Sequence, residues 1–266
     1  MKVYDKVIDE TLKILEPLTK KELDVDPEVS WNCLENNEFL MGKEVAFELG
    51  DRLAPCTVYN CPTSKGIYVP EDRITLIGKD IPELKGDTNF SRITFIDMDD
   101  EENANLAYTR IKRLEFERFK VIPEGYMILT SSVENRENIR ISKKAVKEGL
   151  DFSIIGNLFM NRYKTIPGVN YVWMIFLVGD YSFFPELVKQ SFEVDRITNA
   201  FEHVMRDIIT DCNVCPLQTI CDDVEKLREQ HFKSVQEKKA IKAKQENEEK
   251  SPKKNLKKMR FRKNKK

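Results

Sequence analysis

The stretch Tyr171-Val-Trp-Met-Ile-Phe-Leu-Val178 constrains this chain more than any other, because eight consecutive apolar residues leave no face for water. A half-buried strand alternates apolar and polar side chains. An unbroken run of this length, rich in β-branched and aromatic residues, instead predicts a strand covered on both faces. The predicted fold class is therefore α/β (α+β): a mixed sheet with a buried central strand and packed helices.

Other elements follow from spacing and punctuation. Val3, Val7, Ile8, Leu12 and Leu15 recur at helical spacing and predict an amphipathic helix over the first 16 residues, stopped at Glu16-Pro17. Short strands are predicted at Val45–Leu49, Arg73–Ile77, Ile93–Ile96, Tyr126–Thr130 and Asn138–Ile141, with Gly50, Pro55, Pro62, Gly66 and Pro70 as turns between the early ones. A helix from about 101 to 121 opens on the acidic stretch Asp97-Met-Asp-Asp-Glu-Glu102, which suits the positive end of a helix dipole. Ser142 is placed to cap a helix over Lys143–Glu148 that Gly149 ends. Helices are also predicted from about Ser153 to Tyr163, and from Pro185 toward Ile209.

Charge divides the chain unevenly. The formal charge is −1, yet residues 233–266 hold 15 basic and 4 acidic side chains, which leaves residues 1–232 at −12 and the tail at +11. The expected organisation is one α/β domain over 1–232, then a charged helix and a basic disordered tail over 233–266. An acidic body disfavours nucleic acid, because phosphate contacts need clustered Lys and Arg; only the tail could bind it, and weakly. No apolar run reaches the roughly 18 residues of a membrane span. The opening Met1-Lys-Val-Tyr-Asp-Lys has no apolar core of an export signal, so a cytoplasmic protein with reduced cysteines is expected.

Six cysteines then call for a chemical reading. In Cys212-Asn-Val-Cys215-Pro-Leu-Gln-Thr-Ile-Cys221 the two-residue gap lets two thiolates converge on one metal, with a third close by. Zinc and iron–sulfur clusters both take such ligands. Unliganded buried thiols and a redox pair are the alternatives. Three ligands are one short of four, and Cys33, Cys56, Cys61, His231, water or a partner could supply the last. Cys56 and Cys61 stand beside Pro55 and Pro62 in a turn-rich segment. With His203 and His231 the only histidines, an imidazole-based catalytic site is not expected. There is no glycine-rich phosphate loop and no Gly-x-Ser-x-Gly elbow. Arg110, Arg113, Arg118, Arg136 and Arg140 could surround an anionic ligand or be ordinary surface charges.

Three strings, Ile74-Thr-Leu-Ile-Gly-Lys-Asp-Ile-Pro-Glu-Leu84, Glu124-Gly-Tyr-Met127 and Ile139-Arg-Ile-Ser-Lys-Lys-Ala-Val-Lys-Glu-Gly149, resemble successive landmarks of the acetyl-CoA synthase family, the β subunit of the carbon monoxide dehydrogenase/acetyl-CoA synthase complex. Phe152–Tyr163 and Tyr171–Val178 continue the pattern, so the resemblance spans roughly Phe39 to Cys221. It implies the α/β middle domain of that family, which helps hold coenzyme A through arginines, here Arg140 and Arg136. It also implies the start of the nickel–iron–sulfur motif at Cys212, Cys215 and Cys221. The implied cofactors are an iron–sulfur cluster, nickel and coenzyme A; the implied partners are carbon monoxide dehydrogenase or corrinoid protein subunits. The chain departs from the family at several points. Cys221 follows after a gap of five residues where the family has a longer one, no cysteine comes later, and Asn138 stands where a tryptophan is expected. The resemblance thus implies a shortened relative with an accessory role in one-carbon metabolism. Two alternatives are an acyltransferase that completes its metal site with Cys56 and Cys61 or a partner, and an interaction protein that is metal-free or stapled by zinc.

Overall fold

The computed structural model describes residues 2–35, 39–50, 57–99, 104–131, 135, 137–206, 215 and 217–226. The described residues form, in chain order, α1 (Asp5–Leu15), β1 (Lys21–Leu23), β2 (Val45–Leu49), β3 (Thr57–Thr63), β4 (Arg73–Gly78), β5 (Phe90–Met98), α2 (Ala104–Glu117), β6 (Tyr126–Ser131), β7 (Glu137–Ser142), α3 (Lys143–Glu148), α4 (Phe152–Lys164), β8 (Val169–Val178) and α5 (Phe184–Met205). A further short helix covers 218–226.

The apolar run becomes β8, the middle strand of a five-stranded sheet ordered β1-β4-β8-β5-β3. β8 is parallel to β4 and antiparallel to β5, while β5 is parallel to β3 and β4 antiparallel to β1, so the sheet is mixed. Successive side chains of β8 alternate between two apolar layers, as the period of a strand requires. Val172, Met174, Phe176 and Val178 enter the layer beneath α4. Trp173, Ile175 and Leu177 enter the layer beneath α1 and α5. Two helical covers therefore explain why no polar residue interrupts the run.

The first layer is closed by a second, antiparallel sheet, β2-β7-β6. Ser142 leaves β7 and caps α3, its Oγ accepting from the Ala145 N–H at 3.0 Å, and Gly149 ends that helix at φ 92°. Gly125 (φ 80°) is required just before β6, since a Cβ there would lie 2.5 Å from Ser142 Oγ. Asp80 ties the layer together: its Oδ1 accepts from the N–H groups of Ile81 and of Phe152, the first residue of α4. Phe152 then packs on Phe176 at 4.7 Å and on Phe90 at 5.9 Å between ring centres.

Two expectations change. Thr57–Thr63 is a strand rather than a turn, buried throughout although it contains Pro62. Proline has no N–H to give a neighbour, and β3 forms the sheet's edge, where proline is tolerated. The helix read from 101 is described from Ala104, ending at Glu117 with a 3-10 turn at Arg118–Lys120. Among the described residues, no helix is long and apolar enough to cross a membrane.

Candidate functional site

The cysteines separate into different environments. Cys61 lies on β3 among Tyr4, Tyr59, Ile93 and Phe95, fully buried in the layer beneath α1 and α5. Burial pushes its thiol far above the ordinary cysteine range, which opposes the thiolate that metal binding requires. Cys33 is exposed and bridges to Pro123 at the opposite layer. Cys215 and Cys221 are half-buried, with Cys221 in the helix over 218–226, where its N–H donates to the Leu217 carbonyl at 2.9 Å. Cys56, Cys212 and Arg136 lie outside the described residues, as do His231 and the basic tail.

Chain direction bears on whether the two cysteine segments can meet. α5 runs beside β3 in the same sense, because Ser191 and Asp195 hold Asn135, whose carbonyl accepts from Val58 N–H at the start of β3. Val194, Asp195 and Thr198 then face Tyr59, Asn60 and Pro62 further along it. α5 ends seven residues beyond Thr198. Strand and helix rises put Thr57, the residue after Cys56, about 20 Å along the shared direction from Met205, where the chain leaves for Cys212. Among the described residues, no group of three or more Cys, His, Asp or Glu could hold a metal ion.

The described arginines lie on different elements, Arg110 and Arg113 on α2, Arg118 in the turn that follows it and Arg140 on β7. Arg140 lies on the outer face of β7, where its Nε donates to Glu48 Oε1 at 2.7 Å and its Nη1 to the Leu40 carbonyl at 3.1 Å. These two acceptors are what an anionic ligand would have to displace from the guanidinium. Arg113 reaches Glu117, and Arg110 lies over Gly168, where a Cβ would meet its guanidinium at 2.9 Å.

Sequence reading missed the strongest polar feature, which lies inside the molecule. Arg92 of β5 and Glu137 of β7 are both wholly buried, and Arg92 Nη2 donates to Glu137 Oε1 and Oε2 at 2.7 and 2.9 Å. Arg118 reaches the same carboxylate at 3.6 Å, and the Arg92 guanidinium lies 4.0 Å from the centre of the Phe159 ring. The signal was available: Arg92 sits in Phe90-Ser-Arg-Ile-Thr-Phe-Ile96, where a charge in an apolar strand demands a partner. Its partner, 45 residues away, could not be read from spacing.

One other connection bears on the cysteines. Val204, Met205 and Ile220 pack against the same layer in which Val224 is completely buried. The end of α5 and the helix over 218–226 therefore pack in one layer, on either side of Cys212 and Cys215 in the sequence. No protein-family model matches this chain, and no curated protein matches it.

Proposed function

We propose that this chain is a shortened protein of the acetyl-CoA synthase β-subunit type that binds an iron–sulfur cluster or another metal through Cys212, Cys215 and Cys221. Its role is accessory, in carbon monoxide and one-carbon metabolism in the cytoplasm, beside carbon monoxide dehydrogenase or corrinoid protein subunits. The observation that carries the reading is the double anchorage of the cysteine segment: Met205 on one side and Val224 on the other pack in one apolar layer. That fixes the ends of a short excursion and lowers the entropy lost when its thiolates gather on a metal. The burial of Cys61 and the distance of Thr57 from Met205 favour a last ligand from a partner over one from β3.

A second reading is an interaction protein stapled by zinc or without metal, in which Cys61 serves as a buried apolar side chain of β3. Anaerobic purification with iron, sulfide, nickel and zinc analysis separates the two. Iron with matching sulfide, lost in Cys212→Ser and Cys215→Ser but kept in Cys61→Ala, is the expected result. Zinc alone, or no metal, would sink the cluster reading, and stoichiometric nickel would favour a complete acyltransferase.

A further inference from the structure

The solvent-facing stripe of α2 departs from what a surface helix ordinarily shows. At helical spacing Leu106, Thr109, Arg113 and Phe116 fall along one side, and Lys120 extends that line in the 3-10 turn that follows. All five are exposed, Phe116 at 61% and Leu106 at 48%, while Ala107, Ile111 and Leu114 are buried on the opposite side. A surface helix usually turns charged and polar residues to water. This stripe offers two large apolar side chains, two cations and no carboxylate.

The cations are held in place. Glu117 lies beside the stripe with its side chain only 3% exposed, and its Oε1 accepts from Lys120 Nζ at 3.0 Å and from Arg113 Nε at 3.4 Å. Arg162, from α4, donates to its Oε2. Three cations thus share one carboxylate, which leaves two positive charges in excess over a buried anion. Lys120 also stands 4.9 Å from the centre of the Phe116 ring, so cation and exposed ring are presented together. Lys112 and Glu115, on the next flank, pair with each other and add no net charge.

This patch sits on a body that carries −12 over residues 1–232. That favours a short acidic partner over nucleic acid. A strand long enough for several phosphate contacts would run from three cations onto a repelling surface, and Leu106 offers a nucleobase no ring to stack on. We infer that the outer face of α2 docks an acidic amphipathic segment of a partner protein. Its apolar side chains rest on Leu106 and Phe116, and its carboxylates meet Arg113, Lys120 and Arg162.

The probe is a fluorescently labelled, capped helical peptide of about 14 residues, matched to the length of α2, with Leu and Phe on one face and Glu on the other. Titrated with the full chain and followed by anisotropy, it should bind saturably with a dissociation constant below about 1 mM. Arg113→Glu and, separately, Phe116→Ser should each weaken it about tenfold, and added salt should weaken the wild type. Both residues are exposed, and unchanged far-ultraviolet spectra establish that the variants fold. No saturable binding, or binding that survives either variant and so belongs to the basic tail, overturns the assignment. Tighter binding of a single-stranded oligonucleotide, lost in the same variants, would put nucleic acid on this face instead. Self-association of the chain that Phe116→Ser abolishes would put a second copy there, and either result overturns the partner.

Discussion

Burying a guanidinium costs several kcal/mol, and Arg92 offsets that cost with a carboxylate as deeply buried as itself. The pair joins β5 of the large sheet to β7 of the small one. Removing one member leaves the other charge stranded, so Arg92→Met should destabilise the protein by about 3–5 kcal/mol, measured by urea denaturation. Arg92→Met combined with Glu137→Leu should recover part of that loss, because an apolar pair of similar volume fills the site but takes the carboxylate from Arg118 as well. Equal destabilisation in the single and double variants would refute the account. Glu117 makes a pH-dependent counterpart. Burial alone would push its carboxyl up, but hydrogen bonds from Lys120 and Arg162 outweigh burial and hold it below the usual glutamate range. A depressed folded value means stability that is present in full above the ordinary glutamate range and lost as pH falls through the folded value. Glu117→Gln should therefore lower the urea midpoint at pH 7 and change it little near pH 3.

At the scale of elements, helix-to-sheet distance is set by small residues. Gly156 lets α4 approach β4 so closely that a Cβ would meet Ile74 Cδ1 at 2.9 Å. Gly156→Ala gains helix propensity but forces Ile74 to move, and overpacking of this kind costs about 1–3 kcal/mol. A net loss in thermal midpoint is expected, with recovery in Gly156→Ala/Ile74→Val. Elements with local signals were legible in the sequence. Ser142 and Gly149 marked both ends of α3, and the apolar run marked β8. β3 was not legible, since Pro62 reads as a turn unless one knows that its strand lies on an edge. The pairing of β2 with β7 was equally hidden, because nothing in Val45–Leu49 indicates a partner 92 residues away. For the candidate site, the cysteines were visible as residues, but the burial of Cys61 follows from β3 being covered on both faces, and that needs the sheet and its helices.

For the whole molecule, the two apolar layers share one sheet and should fail together. The two tryptophans report on them separately: Trp31 packs against the layer of α4, and Trp173 lies in the layer of α1 and α5. Single-tryptophan variants, Trp31→Phe and Trp173→Phe, should give coincident urea midpoints once each is referred to its own far-ultraviolet transition. Separate transitions would show that the layers unfold independently. The position of β8 has a further consequence, in the time order of synthesis. β4 and β5 are made early and are consecutive in the large sheet's sequence order, yet they never touch; the strand between them is completed only at Val178. Until the ribosome has delivered that residue, both strands carry a bare apolar edge, the kind of surface that recruits chaperones or other nascent chains. A pause in translation shortly before Tyr171 should therefore increase aggregation far more than one after Val178.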